Sequence, residues 1–220
     1  MRTIALVTQK GGSGKSTLAA CIAVAAQEAG ERVFLVDMDP QKSLLKWGRR
    51  RDDKDLPVEA VSANKLDTAL AALAKGNVTL VIIDTPATDS PASEAAMKAA
   101  DLSIIPVRPT VFDIWSSENT RGKLKTLEKD YVFVLNQCPA SQESQRVKDG
   151  AAALEGMGAL LRPLIASRVD YQEAAREGMG VTEIDTNSKA SDEMRQLWAS
   201  VKRRCGRAKT AEKPGKKVAA

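Results

Sequence analysis

The sequence has no histidine, and its three cysteines lie far apart along the chain. Cys21, Cys138 and Cys205 form no C-x-x-C pair, so the pattern argues against a disulfide framework and against a zinc site. Buried thiols in a reducing compartment are the simpler interpretation. Without histidine, the residue that most often transfers protons in catalysis is absent. Any catalysis must therefore use carboxylates, lysines, backbone groups and a metal ion.

Long apolar runs are also absent. No segment approaches the roughly 20 apolar residues that a membrane-spanning helix needs, and the chain begins almost at once with a strand-like stretch instead of a signal segment. A length of 220 residues with 43% hydrophobic residues predicts one sizeable α/β domain. We therefore expect a cytoplasmic protein without a membrane partner.

Positive charge is concentrated at the end of the sequence. The net charge is +5, but residues 202–220 contain eight Lys or Arg and one Glu, which leaves −2 for residues 1–201. The tail also contains Gly206, Pro214 and Gly215 and few large apolar residues. We predict a domain over residues 1–201 and a basic tail over residues 202–220, disordered or frayed from Arg203.

A glycine-rich segment between an apolar run and a helix-period stretch is the strongest signal in the sequence. It reads Gln9-Lys10-Gly11-Gly12-Ser13-Gly14-Lys15-Ser16-Thr17. In this context backbone N–H groups and a helix N-terminus bind phosphates. Two lysines in so short a loop repel each other unless a polyanion is bound. We predict that the loop binds a nucleotide, with Lys15 on the β- and γ-phosphates and the Ser16 hydroxyl on Mg²⁺. The alternative is a glycine-rich hairpin with two solvated lysines.

Carboxylates follow two further apolar runs. Asp37 and Asp39 end the run that begins at Val33, and Asp84 ends the run that begins at Val78. In parallel neighbouring strands these ends would share one sheet edge with the glycine-rich loop. Asp84 is then predicted to reach Mg²⁺, usually through a water molecule. The alternative is a set of solvated turn acids that bind no metal.

The segment x-K-G-G-x-G-K-[ST] resembles the deviant Walker A signature of the ParA/MinD family of P-loop ATPases. The resemblance covers roughly residues 1–201 and is nearest to the small plasmid-partition proteins of the ParF type. It implies an ATP-dependent homodimer in which Lys10 reaches the partner's nucleotide. It also implies that Asp39 positions the attacking water and that Asp37 supports Mg²⁺ through a bound water.

The same resemblance implies further contacts. Pro106, in the segment Ile104-Ile105-Pro106-Val107, is expected to line the base pocket, and Asn136 to contact adenine, although Asn at a strand end is also an ordinary turn residue. The segment from Thr85 to Pro91 resembles the second switch. Arg162 and Arg168 are candidate DNA contacts.

Strands that alternate with helices predict a doubly wound, mostly parallel β-sheet flanked by helices. The last strand is expected at residues 160–166, near an edge because Pro163 interrupts it. Trp115 is expected to be packed.

The family resemblance implies a partition or positioning ATPase. In this interpretation ATP drives dimerisation, the dimer binds nonspecific DNA on the nucleoid, and a ParB-like centromere-binding or adaptor protein stimulates hydrolysis. The tail supports the DNA interpretation independently, because Lys and Arg neutralise phosphates without reading sequence. The tail candidates are Lys202, Arg203, Arg204 and Arg207.

Other interpretations remain open at this point. The alternative for the tail is a solubilising role alone, because basic termini are common. A MinD-like membrane ATPase, an iron–sulfur reductase and a metabolic ligase all use related phosphate loops. The sequence does not name the cargo.

Overall fold

The computed structural model describes residues 1–51, 55–141 and 144–211, with side chains through residue 206. The strands are β1 (Arg2–Leu6), β2 (Val33–Asp37), β3 (Val58–Ala60), β4 (Leu80–Asp84), β5 (Leu102–Val107) and β6 (Tyr131–Leu135). The helices are α1 (Lys15–Glu28), α2 (Ser43–Arg50), α3 (Leu66–Lys75), α4 (Pro91–Ala99), α5 (Val111–Thr126), α6 (Gln145–Met157), α7 (Asp170–Glu177), α8 (Val181–Ile184) and α9 (Lys189–Ala211), with a 3₁₀ turn at Ala63–Lys65.

The six strands form one parallel sheet in the order β3-β2-β4-β1-β5-β6. β2, β3 and β4 lie on one side of β1, and β5 and β6 lie on the other side. The strand order therefore reverses direction beside β1. Ligands of open α/β sheets bind at such a switch point, outside the carboxyl ends of the strands. The predicted doubly wound α/β fold is confirmed.

Helices cover both faces of the sheet and create two hydrophobic cores. Side chains of α1, α2, α7, α8 and α9 pack on one face, and those of α3, α4, α5 and α6 pack on the other. α1 is buried along most of its length because it lies between the sheet and α9. Its alanines keep this helix narrow enough for α9 to approach closely. α1 is therefore fixed in place, and the loop before it is fixed at one end. Within the described residues, no helix combines the length and the apolar character that a membrane span requires.

Two local predictions are wrong. Residues 160–166 form no strand; they make only isolated parallel bridges, Phe133 with Leu160 and Cys138 with Ala166. Pro163 lies between the two bridges and has no N–H to extend a ladder. Trp115 is not packed in the core: it is 59% exposed and stacks edge-to-face on Phe112 at a ring distance of 5.7 Å.

The predicted loss of order at Arg203 is also wrong. α9 continues through Val201 to Ala211 without interruption. Cys205 is buried, Lys202 forms an ion pair with Glu31 at 3.1 Å, and Arg204 pairs with Asp130. These contacts hold the helix on the body after the apolar stripe has ended. Residues 212–220 lie outside the described residues.

A chain ending at Val201 should therefore be less stable than one ending at Ala211. Losing the buried Cys205 side chain and the two partly buried ion pairs should lower the free energy of unfolding by about 2 kcal/mol. Urea unfolding followed by circular dichroism measures the difference. The chain ending at Ala211 is the reference, and equal midpoints for the two chains would contradict the prediction.

Candidate functional site

The glycine-rich loop connects β1 to α1 at the switch point of the sheet. Gly12 and Gly14 have φ angles of 74° and 90°, a region that side chains with a Cβ rarely adopt. A Cβ on Gly14 would also lie 2.5 Å from the Asn136 amide nitrogen. Glycine is required at Gly14 for both reasons, and the loop is closed tightly against the end of β6.

Two side chains from the end of β6 hold the loop in shape. The Asn136 amide donates to the Ser13 carbonyl and the Gln137 amide donates to the Gly12 carbonyl, each at 2.8 Å. Asn136 is buried and Gln137 is exposed. The Ser13 hydroxyl is buried without a hydrogen-bond partner, although a buried polar group normally has one. These two hydrogen bonds thus hold the loop in its shape without a ligand, and the Ser13 hydroxyl is left as an unsatisfied donor.

Lys15 and Ser16 begin α1 and point into the site. Lys15 is only 7% exposed. Burial lowers the pKa of its ammonium, while the carboxylates of Asp84 and Asp39 act in the opposite direction. The Ser16 hydroxyl donates to Asp84 Oδ2 at 2.5 Å. This contact joins the loop to the neighbouring strand β4.

Asp84 is the most strongly perturbed acid of the site. Its side chain is fully buried, and Oδ1 has no hydrogen-bond partner. The pKa of this carboxyl is raised to about 7, mainly by burial and in part by the nearby acid Asp37, while the Ser16 hydroxyl and Lys15 act in the opposite direction. A buried carboxylate with a free oxygen is compensated when a cation lies next to it. The residues at this position therefore fit Mg²⁺ carried by a nucleotide.

Few protein groups would hold such an ion. No cluster of three or more His, Cys, Asp or Glu side chains suited to a metal occurs in residues 1–51, 55–141 and 144–206. Mg²⁺ commonly binds through one or two protein groups together with phosphates and water. Ser16 and Asp84 are the pair that fits this pattern.

Asp37 and Asp39 follow β2, and Asp37 is aligned with Asp84 in the register of the sheet. Asp37 Oδ1 accepts the Asp39 N–H at 3.0 Å, and Oδ2 accepts the Leu45 N–H at 2.9 Å. Burial raises the pKa of Asp37. Both oxygens are thus engaged with the backbone that leads into α2, so Asp37 shapes this turn. Asp39 is half-buried, and its Oδ1 accepts the Gln41 N–H at 2.8 Å.

A cleft of about 320 Å³ runs away from the loop between α1, α7 and the end of β6. Asn136 lines it, and its contact with adenine stays a prediction. Pro106 does not line it, because this residue is buried within β5. The other lining residues are Gly14, Thr17, Leu18, Gln137, Ala166, Ser167, Arg168, Tyr171, Gln172 and Ala175. The volume and position suit the nucleoside part of a bound nucleotide.

Three residues of the site were missed from the sequence. Gln137 supports the loop, and its position directly after Asn136 could have indicated this. Arg108, at the end of β5, lies 3.6 Å from the position a Gly12 Cβ would occupy and forms an ion pair with Asp113 at 2.8 Å. Tyr171 borders the cleft with an unpartnered buried hydroxyl, for which the sequence gives no signal.

Lys10 is half-buried. Its backbone N–H donates to Thr8 Oγ1 at 3.3 Å. Among the residues that the structure describes, no ion pair involves its ammonium. The two lysines of the loop therefore differ in exposure: Lys15 is buried, and Lys10 is half-buried.

Most of the predicted DNA contacts are engaged within the protein. Arg162 pairs with Glu155 at 2.7 Å and Arg168 with Glu193 at 2.6 Å. Lys202 and Arg204 pair with acids of the body, as described above. Arg203 donates to Ser200 Oγ at 2.9 Å and has no acidic partner in the described chain. The side chain of Arg207 lies outside the described part.

The loop at a sheet switch point, the buried lysine and the Ser16–Asp84 contact define a P-loop nucleotide-binding protein. The family model "CobQ/CobB/MinD/ParA nucleotide binding domain" matches residues 4–181. The chain belongs to this family, which includes the ParA/MinD ATPases. The resemblance recognised in the sequence is confirmed.

Similar proteins come from several bacteria. "Maintenance of carboxysome distribution protein A" of Halothiobacillus neapolitanus is 30% identical over 210 residues, which cover 90% of this chain and 95% of that protein. "Chromosome-partitioning ATPase Soj" of Thermus thermophilus is 30% identical over 158 residues, covering 59% and 62%. A plasmid partition protein of Borrelia burgdorferi, solved with AMPPNP, shares the fold with a TM-score of 0.77 at 17% identity, covering 92% of this chain and 99% of that one.

Replacing Asp84 by Asn should change how the stability of the nucleotide-free protein depends on pH. The folded carboxyl has a pKa of about 7, whereas an unfolded Asp has a value near 4. Between these values the folded state binds the additional proton, so the free energy of unfolding contributed by Asp84 falls as pH rises from about 4 to about 7.

Thermal unfolding at several pH values in that interval should reveal this slope in the wild type and its loss in Asp84→Asn. Asp67→Asn, at an exposed acid of α3, is the control and should keep the wild-type slope. The assignment is wrong if Asp84→Asn retains the full pH dependence.

Proposed function

We propose that this chain is an ATP-dependent partition or positioning ATPase that forms an ATP-bound homodimer on nonspecific DNA. The observation that carries the proposal is the geometry of the phosphate loop. Lys15 is buried and Lys10 is half-buried, and the Ser16 hydroxyl at the start of α1 is bonded to Asp84. A ParB-like or adaptor protein stimulates hydrolysis and release. The cargo is a plasmid, a chromosome or a protein assembly, chosen by that partner. The proposed location is the nucleoid in the cytoplasm.

The reaction is Mg²⁺-dependent hydrolysis of ATP to ADP and phosphate. The bound Mg²⁺ supplies charge neutralisation at the phosphates. Backbone N–H groups from Gly11 to Thr17 bind the phosphate chain, Lys15 contacts the β- and γ-phosphates, and Ser16 and Asp84 hold the metal. Asp39 is in a position to orient the attacking water, because it is half-buried at the strand end beside Asp84.

Dimerisation through the nucleotide is supported by the position of Lys10. Its ammonium has no acidic partner in the described chain, and the residue is less buried than Lys15. A lysine in this position can neutralise phosphates held by a second copy. Two copies on one DNA molecule would also bind it more tightly than either alone, which links the ATP state to DNA affinity.

The relatives support the choice within the family. One is named for carboxysome distribution and another for chromosome partitioning, and both names describe positioning of a large cargo. A metabolic ligase would instead need an organic-substrate site, and basal hydrolysis without such a substrate would count against it. An iron–sulfur centre would need exposed paired cysteines, whereas Cys21, Cys138 and Cys205 are all buried.

The membrane alternative is weakened by α9. Its apolar stripe, formed by Met194, Leu197, Trp198 and Val201, is buried in the core against α1. A helix that binds a membrane surface needs its apolar face free for the lipid. The observation favours DNA over lipid as the surface to which the ATPase binds.

Asp39→Asn should separate ATP binding from ATP hydrolysis. Removing the group that orients water should lower the turnover by about a hundredfold or more, while the phosphate loop still binds ATP. Turnover is measured by phosphate release and affinity with a fluorescent ATP analogue. Lys15→Ala should lose binding itself, and Asp67→Asn should behave as the wild type. Wild-type turnover in Asp39→Asn would exclude Asp39 from the reaction.

Binding to random-sequence duplex DNA should require ATP and decrease with salt. ATP, ADP and nucleotide-free samples are compared at low and moderate salt, together with light scattering to follow dimerisation. The salt dependence is expected because phosphate contacts release counterions. If no nucleotide state binds DNA, the DNA-bound positioning function fails, and sedimentation with vesicles then tests the membrane alternative.

A further inference from the structure

One face of α2 carries positive charge that no acid of the described residues neutralises. The spacing i, i+4, i+7, i+8 places four exposed cations on one side of the helix. We call them the α2 basic face: Lys42, Lys46, Arg49 and Arg50. Leu44 and Trp47 lie on the other side and are buried in the core. The two sides thus divide cleanly into a packed half and a charged half.

The α2 basic face has no counter-charge in the described chain. Lys42, Lys46 and Arg49 form no ion pair with any acid of residues 1–51, 55–141 and 144–206. Arg50 uses one N–H to bond the Arg176 carbonyl at 2.8 Å. No acid occurs between Pro40 and Arg51 in the sequence. Among the tail cations whose side chains the structure describes, Lys202 and Arg204 are instead paired with acids of the body, and Arg203 is not.

We propose that the α2 basic face is the surface that binds the phosphate backbone of DNA. Eight residues of helix span about 12 Å, long enough to lie along consecutive phosphates of one strand. Unpaired cations gain more from phosphates than cations that must first give up a carboxylate. The inference rests on the proposed function, in which the ATP-bound protein binds nonspecific DNA, and it moves the contact from the tail to the folded body.

DNA fits this face better than a lipid surface does. Helices that lie on membranes insert an apolar side below the headgroups. The apolar side of α2 is held in the core, and the Trp47 indole N–H donates to the Met179 carbonyl at 3.1 Å. The charged side carries no large apolar residue. The α2 basic face therefore matches a polyanion that is contacted only through its phosphates.

The position of α2 connects the face to the nucleotide site. At its start, the Leu45 N–H is bonded to Asp37 and the Lys42 N–H donates to the Asp39 carbonyl at 2.9 Å. At its end, Arg51 is buried and pairs with Glu183 at 2.8 Å. Any rearrangement at the carboxyl end of β2 therefore displaces the α2 basic face. This explains how DNA affinity would depend on the nucleotide.

The test compares two triple variants of the full chain that lose the same charge. One is Lys42→Gln, Lys46→Gln and Arg49→Gln on α2. The other is Lys65→Gln, Lys75→Gln and Lys125→Gln, at exposed lysines on the opposite face of the sheet. Affinity for random-sequence duplex DNA is measured with ATP across a salt series. Unfolding temperature and ATP affinity are measured for each variant to establish that it is folded.

The α2 variant should bind DNA roughly tenfold or more weakly at moderate salt, and its salt slope should fall by about 3. The control variant should keep the wild-type slope. If the triple α2 variant fails to fold, the pair Lys46→Gln and Arg49→Gln replaces it, with a slope loss of about 2.

Three outcomes would overturn the inference. Equal affinity and slope for the two variants would exclude the α2 basic face and leave the proposed function intact. A wild type that binds no DNA in any nucleotide state would contradict both the inference and the proposed function. Loss of binding to phosphatidylglycerol vesicles in the α2 variant, with DNA binding retained, would assign the face to membranes instead.

Discussion

The burial of one carboxylate at the edge of a parallel sheet is the constraint on which this site depends. Asp84 is fully enclosed, and one of its oxygens has no hydrogen-bond partner among the residues that the structure describes. Burying a charge is costly unless an opposite charge or hydrogen bonds compensate it. Ser16 and Lys15 provide part of that compensation from the start of α1. The negative charge that they leave uncompensated attracts a cation. The fold places this charge beside the loop that binds the phosphates.

The parallel strands explain why these groups meet. β4 lies between β1 and β2, so residues that end three different strands or begin the following turn converge on one edge. Asp37 and Asp84 are directly aligned across β2 and β4. The same alignment puts Asp37 close to Asp84, and this neighbouring acid adds to the effect of burial, which is the main cause of the raised pKa of Asp84. Charge repulsion of this kind is relieved when a cation arrives, so the site is arranged for its ligand.

The sequence was sufficient to predict what depends on local pattern. The glycine-rich loop, the strand-end acids and the alternation of strands and helices predicted the fold class and the family, which are confirmed, and named the loop and the acids that the sheet brings to one edge. Contacts between residues that are distant in the sequence could not be predicted from such local patterns. The exposure of Trp115, the ion pairs of Lys202 and Arg204, and the support of the loop by Gln137 depend on which elements become neighbours. Pro106 illustrates the same limit. Its motif places it in a strand, but does not determine whether the residue lines the cleft.

The distribution of the three tryptophans gives the molecule an internal optical reporter. Trp47 and Trp198 are 7% and 3% exposed, whereas Trp115 is 59% exposed. A water-soluble quencher such as iodide would therefore act mainly on the emission of Trp115. This residue lies in the second turn of α5, which begins at the same sheet edge as the phosphate loop. The fluorescence of the unlabelled protein would consequently report on events at that edge, with the buried Trp198 of α9 as a background.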